Sequence, residues 1–341
     1  MTLTFEGQSA TAIPCREDED IVTAAMRHGV LLLCDCRQGT CGTCRGYAEY
    51  GEDGVLLDHS LHALSEQDRD DGWILACRYC PRGPVHVDFD YPADRVAYLD
   101  PEERSGHIVD IDRRSHSVIR IVVRTLAAQA PLSWTPGQYV HLELVAAGLS
   151  RAFSMANVPD TRRELEFFVR RLPDGQFSNA LWSMTGPGAV VKVRGPHGTF
   201  RLKEEGSPSL FIAGGTGVAP LLGMLQHLRN HDPGRRASLV LGIRREADLF
   251  VAQEFRSLAD VFPRLDIGVT VEEPTNEWRG ERGTAVEALQ RRIARIPSPR
   301  GHVYYVCGPP PMVEEACRLL EQAGVDDANI RTERFTPHKE K

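Results

Sequence analysis

The sequence predicts a chain of three differently built parts: a small mixed α+β unit, an antiparallel β-barrel, and an α/β unit on a parallel sheet. Three observations predict this. Six of the nine cysteines fall between residues 34 and 80. From about 105 to 204, short β-rich runs are separated by turns, the spacing of a sandwich or barrel. From about 205, buried-looking strands alternate with helical patterns, which implies a parallel sheet. A length of 341 residues accommodates two or three such domains.

The first part, residues 1–93, opens with a strand-like Leu3–Phe5. A short helix follows, with Asp18 to Asp20 near its start, Ile21, Ala24 and Ala25 on one side, and Gly29 as its stop. The cysteine-rich loop comes next, and an alternating Val85–Phe89 closes the unit. Residues 94–104 are polar, contain Pro101 and read as a linker. In the second part, 105–204, strands are expected at Ser117–Val123, Gln138–Leu144, Arg151–Ala156, Leu165–Val169 and Val190–Val193, with one helix at Ser178–Met184. In the third, 205–341, strands are expected at Leu210–Ala213, Leu239–Ile243, Ile267–Val271 and Val303–Val306. Val218, Leu221, Leu222, Leu225 and Leu228 mark a helix between the first two.

Composition removes several classes of function. A formal net charge of −7 is opposite to a nucleic-acid footprint and suits a partner with a basic docking face. The N-terminus lacks a basic region followed by an apolar stretch, and the longest apolar run, Val30–Cys34, is too short for a membrane span. The expectation is a cytoplasmic protein with no membrane partner.

An odd number of cysteines makes a poor disulfide framework, and their clustering points to a metal centre. Cys36, Cys41 and Cys44 have the spacing C-x4-C-x2-C, and Cys77 follows after 32 intervening residues. This is the plant-type [2Fe–2S] pattern, which needs four thiolates on two irons. Gly39 and Gly42 allow the tight turns a cluster-wrapping chain must make. A zinc site is the competing reading, since Cys77-Arg-Tyr-Cys80 is a C-x2-C unit, but the x4 gap is wrong for it. Cys34 and Cys80 read as spare thiols close to proposed ligands.

Two further pairs of segments suit phosphate groups. Arg151-Ala-Phe153-Ser154 on a strand and Gly175-Gln-Phe-Ser178 before a helix offer one cation and one helix N-terminus, enough to neutralise a pyrophosphate. Each alone is ordinary: a solvated arginine, an N-cap. Gly214-Gly215-Thr216-Gly217-Val-Ala-Pro220 joins a strand to a helix; it is no Walker A loop, and Pro220 breaks the G-x-G-x-x-G/A fingerprint. In isolation it is equally a tight turn. Cys307 to Met312 ends another buried strand.

With these segments in this order, the chain resembles the ferredoxin–NAD(P)+ reductase superfamily in its bacterial form with an N-terminal ferredoxin domain. Members are reductase components of soluble di-iron monooxygenases and of aromatic-ring dioxygenases. The resemblance spans essentially the whole chain and implies a β-grasp-like [2Fe–2S] domain, a β-barrel FAD domain and a parallel-sheet NAD(H) domain. The family's strand motif R-x-Y-S reads here Arg151-Ala-Phe153-Ser154. The resemblance implies that Arg151 contacts the FAD pyrophosphate, Phe153 packs on the isoalloxazine, and Ser154 hydrogen-bonds near flavin N5. Phe153 replaces the usual tyrosine and forfeits one hydroxyl hydrogen bond. Gly175 and Ser178 would complete the pyrophosphate site, favouring FAD over FMN. Cys307-Gly308-Pro-Pro-Pro-Met312 resembles the C-G-P-x-x-M motif, which places Cys307 and Gly308 beside the nicotinamide with Thr216 opposite, and Gly214, Gly215 and Gly217 against phosphate. Glu333-Arg-Phe335 resembles the E-K-F ending, in which Phe335 shields the flavin; a disordered tail competes beyond Thr336. Among Arg244, Arg245, Glu246 and Asp248, the acids favour NADH and the arginines NADPH; Asp248-Leu-Phe resembles NADH users.

The implied route runs from NADH to FAD, to [2Fe–2S], to an oxygenase, with no nucleophile or general base assigned. Stretches outside the motifs, including Asp20–Cys36, Leu165–Ser178 and Asn276–Leu289, most resemble methane- and alkene-type monooxygenase reductases. Two other readings stand beside this one: the same route serving a Rieske-type dioxygenase, and a non-redox zinc-binding regulator on degenerate cofactor domains.

Overall fold

The computed structural model describes the chain except for residues 6–7, 17, 35–38, 40–41, 50–53, 94–95, 99–101, 185, 204–205 and 336–341. It has two compact units, one mainly Met1–Pro101 and the other Glu102–Pro196 with Phe200–Pro337.

In the first unit, Thr2–Phe5 (β1), Gln8–Ala12 (β2), Ile21–Arg27 (α1), Val30–Leu31 (β3), Arg45–Glu49 (β4), Val55–Leu56 (β5), Glu66–Asp70 (α2), Trp73–Leu75 (β6), Tyr79–Cys80 (β7), His86–Phe89 (β8) and Ala97–Tyr98 (β9) follow in order. The main sheet has the order β2-β1-β8-β4-β6, in which only β1 and β8 pair in parallel. Helix α1 buries Ile21, Val22, Ala24 and Ala25. Its start is set by Asp20, whose carboxylate accepts from Thr23 N at 2.9 Å, and its end by Gly29 at φ +77°. Two of the expected linker residues, Ala97 and Tyr98, pair with β3, and the next strand already begins at Glu102. The connection is thus shorter than 94–104, because backbone pairing overrides the polar composition.

The second unit begins with Glu102–Arg113 (β10), Val118–Thr125 (β11), Tyr139–Leu144 (β12), Leu149–Ser154 (β13), Glu164–Arg170 (β14), Gln176–Ser183 (α3) and Val190–His197 (β15). They form a sheet of order β13-β12-β15-β10-β11-β14, in which the β12–β13, β15–β10, β10–β11 and β11–β14 pairs are antiparallel. Its edges curl together: Phe153 of β13 and Phe167 of β14 have ring centroids 6.3 Å apart. Alternate residues, such as Ile119, Ile121 and Val123 or Val140, Leu142 and Leu144, fill the interior.

The remainder is α/β: Ser209–Gly214 (β16), Val218–His231 (α4), Ala237–Ile243 (β17), Ala252–Val261 (α5), Leu265–Val271 (β18), Glu281–Arg282 (β19), Ala285–Ile293 (α6), Val303–Gly308 (β20), Pro310–Gln322 (α7) and Ile330–Arg334 (β21). The sheet order is β19-β18-β17-β16-β20-β21, all parallel. β16 shows why such strands read as unbroken apolar runs. Phe211 and Ala213 enter one core with α4 and α5, while Leu210 and Ile212 enter another with α6 and α7. The chain runs outward from β16 to β19 and returns at β20, so the topological switch lies between β16 and β20, where ligands of open α/β sheets sit. Among the described residues, no helix is long and apolar enough to cross a membrane.

Candidate functional site

The switch point holds two of the glycine segments. β16 runs into Gly214–Gly217 and then α4, and β20 runs into Pro309 and α7. The packing here leaves no room for side chains. A Cβ on Gly217 would lie 2.3 Å from Cys307 O, and one on Gly214 would lie 2.7 Å from Met312 Sδ. Gly215 has φ +54°. Above the strand ends opens a cavity of ≈ 330 Å³ whose walls include Gly214, Gly215, Thr216, Arg170 and Asp248. Neither α3 nor α4 has a side-chain cap, unlike α1, α2 and α6. α5 and α7 also lack one, but α3 and α4 alone of these have glycine at the cap, which leaves backbone N–H groups open at each start.

The barrel and the α/β sheet meet around Ser154. Its hydroxyl donates to Glu333 Oε2 at 3.1 Å, and the Cys307 thiol faces the same oxygen at 3.9 Å. Parallel pairing of β20 with β21 sets Cys307 beside Glu333, and Phe335 N donates to Gly308 O at 2.9 Å. Ser154, Cys307, Gly308 and Phe335, expected at one reaction centre, thus converge. Glu333 was visible in the E-R-F ending but had no role from sequence. Its part depends on β21 lying beside β20, which residue order does not reveal.

Phe153 of β13 packs on Phe177 of α3, ring centroids 5.1 Å apart, so the two proposed flavin segments are neighbours. Arg151 is half-buried on the same strand. The Ser178 hydroxyl is engaged locally: it donates to Gly175 O and accepts from Leu172 N, both at 3.1 Å. It therefore shapes the turn ahead of α3. A Cβ at Gly175 would lie 2.6 Å from Ser178 Oγ, which explains the glycine. Arg170, at the end of β14, lines the same cavity as the Gly214–Thr216 turn; a lone arginine at a strand end gives no sequence signal. In the fold its Nη1 is 3.6 Å from where a Gly215 Cβ would stand.

Near the coenzyme cavity, Arg244 and Arg245 both pair with Glu273, at 2.8 and 2.9 Å. Asp248 accepts from Arg245 N at 3.0 Å and faces His116 Nε2 at 3.6 Å.

In the first unit, Cys44 and Cys77 are buried and flank the β4–β6 pair, with Ala76 N donating to Cys44 O at 2.9 Å. Cys36 and Cys41 lie outside the described residues. Among the described residues, the sulfur that joins Cys44 and Cys77 within a mutual 4.8 Å is that of Cys34, a thiol that spacing alone leaves spare. A hydrogen bond with Cys34 lowers the Cys44 thiol, but the Cys77 hydrogen bond and burial outweigh it and push the thiol well above its ordinary range. Clustered thiols fit an iron–sulfur centre in their donor chemistry, as the glycine cradle and uncapped helix ends fit a dinucleotide and a flavin pyrophosphate.

Fold and site define an oxidoreductase with separate flavin-, nicotinamide- and iron–sulfur-binding parts. Family models agree: a 2Fe-2S iron-sulfur cluster binding domain matches residues 4–82, an oxidoreductase FAD-binding domain 105–202, and an oxidoreductase NAD-binding domain 211–318. Methane monooxygenase component C of Methylosinus trichosporium is 34% identical, covering 77% of this chain and 78% of its own. The 2-halobenzoate 1,2-dioxygenase electron transfer component of Burkholderia cepacia is 32% identical over 99% and 98%. The crystal structure of the Amycolatopsis cytochrome P450 reductase GcoB superposes with a TM-score of 0.79 at 28% identity, covering 98% and 99%. The chain belongs to the family of flavin and [2Fe–2S] reductase components of multicomponent oxygenases. The reading as a non-redox zinc-binding regulator is thereby overturned.

Proposed function

We propose that this reductase takes electrons from NADH and delivers them to the hydroxylase of a soluble di-iron monooxygenase in the cytoplasm. The 34% identity with methane monooxygenase component C is the observation that carries the choice of partner. Bound FAD and [2Fe–2S] would supply the conversion of a two-electron donor into one-electron deliveries. The chain's own residues place and shield. The Gly214–Gly217 turn, the α4 N-terminus and Arg170 receive the coenzyme's phosphates. Ser154 and Glu333, hydrogen-bonded to each other beside Cys307, line the point where nicotinamide and flavin would meet, and Phe335 closes it from the β21 side. With Arg244 and Arg245 both held by Glu273, neither guanidinium is directed by a second partner to a 2′-phosphate, and Asp248 is left as the ribose contact, which supports NADH over NADPH. Cys36, Cys41, Cys44 and Cys77 would hold the cluster.

The test is reconstitution: NADH oxidation by the purified reductase, coupled in turn to a di-iron hydroxylase, a Rieske-type dioxygenase and a cytochrome P450. Product formation is expected with the di-iron hydroxylase. Coupling to the Rieske oxygenase alone would establish the second reading, which the 32% identity to a dioxygenase component favours.

A further inference from the structure

The barrel and the α/β part are tied at a second place, away from Ser154 and Glu333. The turn from β10 to β11 is braced within itself. Arg114 N donates to Val118 O at 3.0 Å, and Ser115 Oγ accepts from Ser117 N and Val118 N at 3.2 and 3.1 Å. From this turn the Arg114 side chain crosses to the first turn of α5. Its Nη1 donates to Gln253 Oε1 at 3.0 Å, its Nη2 donates to Glu254 Oε1, and Asp112 Oδ2 lies 3.3 Å from Nη1 on the barrel side. The pair is largely out of water, Arg114 being 13% and Glu254 17% exposed, so removing either partner strands the charge of the other. The same turn and its neighbouring strand β14 also grip the residues ahead of α5. His116 Nε2 lies 3.6 Å from Asp248 Oδ1, and Phe168 packs on Phe250 with ring centroids 5.2 Å apart. Asp248 and Phe250 line the coenzyme cavity together with Ser117 and Val118 of the barrel. The width of that cavity is therefore set by where the barrel turn stands against α5.

We propose that Arg114 is a positioning residue for flavin reduction: by clamping the barrel turn to α5, it holds the coenzyme cavity in line with the flavin side of the barrel. The inference rests on reading this cavity as the NADH site. Ser154 and Glu333 fix the barrel against the α/β sheet at the reaction centre, and Arg114 fixes it at the end of the cavity where Asp248 stands. With the second tie gone, the barrel can turn about the first, which changes how nicotinamide and flavin approach. Misplacing reacting groups by about 1 Å can cost up to ~100-fold in rate. The Gly214–Gly217 turn belongs to the α/β part and keeps its shape, so coenzyme affinity changes less than rate.

The experiment uses the full chain with its flavin as wild type, Arg114→Met, Arg114→Lys, Glu254→Gln and the Arg114→Met/Glu254→Gln double variant. Stopped-flow flavin reduction over a range of NADH concentrations separates the limiting rate from the Kd for NADH. Flavin content is measured alongside, and hydrogen exchange of the Asp248–Leu258 amides gives a readout independent of turnover. Arg114→Met should lower the limiting rate about tenfold at wild-type flavin content, with Kd changed less than about threefold and exchange in that segment faster. Arg114→Lys, which keeps the charge but not the planar fork, should recover part of the loss. The double variant should be no slower than Arg114→Met, since the two side chains act as one contact. A limiting rate equal to wild type, or one that falls only in proportion to lost flavin, overturns the proposal. Where Arg114→Met fails to fold, Glu254→Gln decides, because it keeps the shape and removes the charge: slower reduction with faster exchange supports the clamp, and wild-type behaviour overturns it. Wild-type protein whose flavin NADH does not reduce would instead sink the reading of the cavity itself.

Discussion

Replacing Gly217 by alanine adds one methyl group where the β16 turn touches the end of β20. The backbone there, φ −59° and ψ −12°, is one alanine adopts freely, so no conformational penalty arises. Alanine even restricts the unfolded chain, a gain of about 0.4–1 kcal/mol. The obstacle is steric: the Cβ would stand 2.3 Å from Cys307 O and 2.7 Å from Cys307 C, about 1 Å short of ordinary contact. The atoms it meets are backbone and cannot rotate away. Overpacking of this kind costs roughly 1–3 kcal/mol, leaving a net loss of up to about 2.6 kcal/mol after the gain above. At roughly 2–4 °C per kcal/mol for a unit of this size, Tm should fall by up to about 10 °C. Function should suffer more, because the strand ends that separate are those carrying Thr216 and Cys307. A displacement near 1 Å can cost up to ~100-fold in rate, and kcat/KM for NADH should drop by about 10- to 100-fold. Calorimetry and steady-state NADH oxidation with ferricyanide check both, with Gly186→Ala as the control since nothing lies within 4 Å of its Cβ. Gly217→Ala indistinguishable from that control would refute the packing argument.

Three other outcomes follow from the same structure. Arg170→Ala removes the cation beside the Gly215 turn and should raise KM for NADH about 3- to 10-fold, as for loss of a partly exposed charged hydrogen bond; an unchanged KM would remove Arg170 from the coenzyme site. Ser154→Ala takes the 3.1 Å donor from the buried Glu333 carboxylate, at a cost of about 1.5–3 kcal/mol, and should slow flavin reduction by NADH in stopped flow. Glu19→Gln tests an ion pair in which Arg27 Nε and Nη2 meet both carboxylate oxygens, at 3.0 and 2.8 Å. The Arg27 hydrogen bond lowers the Glu19 carboxyl below its usual range. The stabilisation is therefore present above the unfolded-state value near pH ~4.3 and fades as pH falls through the lower folded one. Thermal melts should show the wild type ahead of the variant at neutral pH and the gap closing in acid; a constant gap would mean the charge is irrelevant.

The residues by themselves determined the class of each part. β16 and β20 are apolar on both faces because helices cover both, and continuous runs such as Leu210–Ala213 carry that fact in one dimension. The barrel strands alternate because only one face is buried. Helix α1 announces its ends through Asp20 and Gly29, which act within a single turn. The glycines of the β16 turn and the C-x4-C-x2-C spacing are likewise local. Only the tertiary structure decided what joins across long separations. Glu333 meets Ser154 from 179 positions away because β21 returns beside β20. Arg170 lines the cavity because the barrel delivers it over a turn in another sheet. Ser178 ties its hydroxyl to Leu172 N and Gly175 O, a local arrangement that G-x-x-S spacing does not spell out. Cys34 joins Cys44 and Cys77 although spacing set it aside. Spacing records which residues a short loop can bring together; it holds no record of which way side chains face once distant strands have paired.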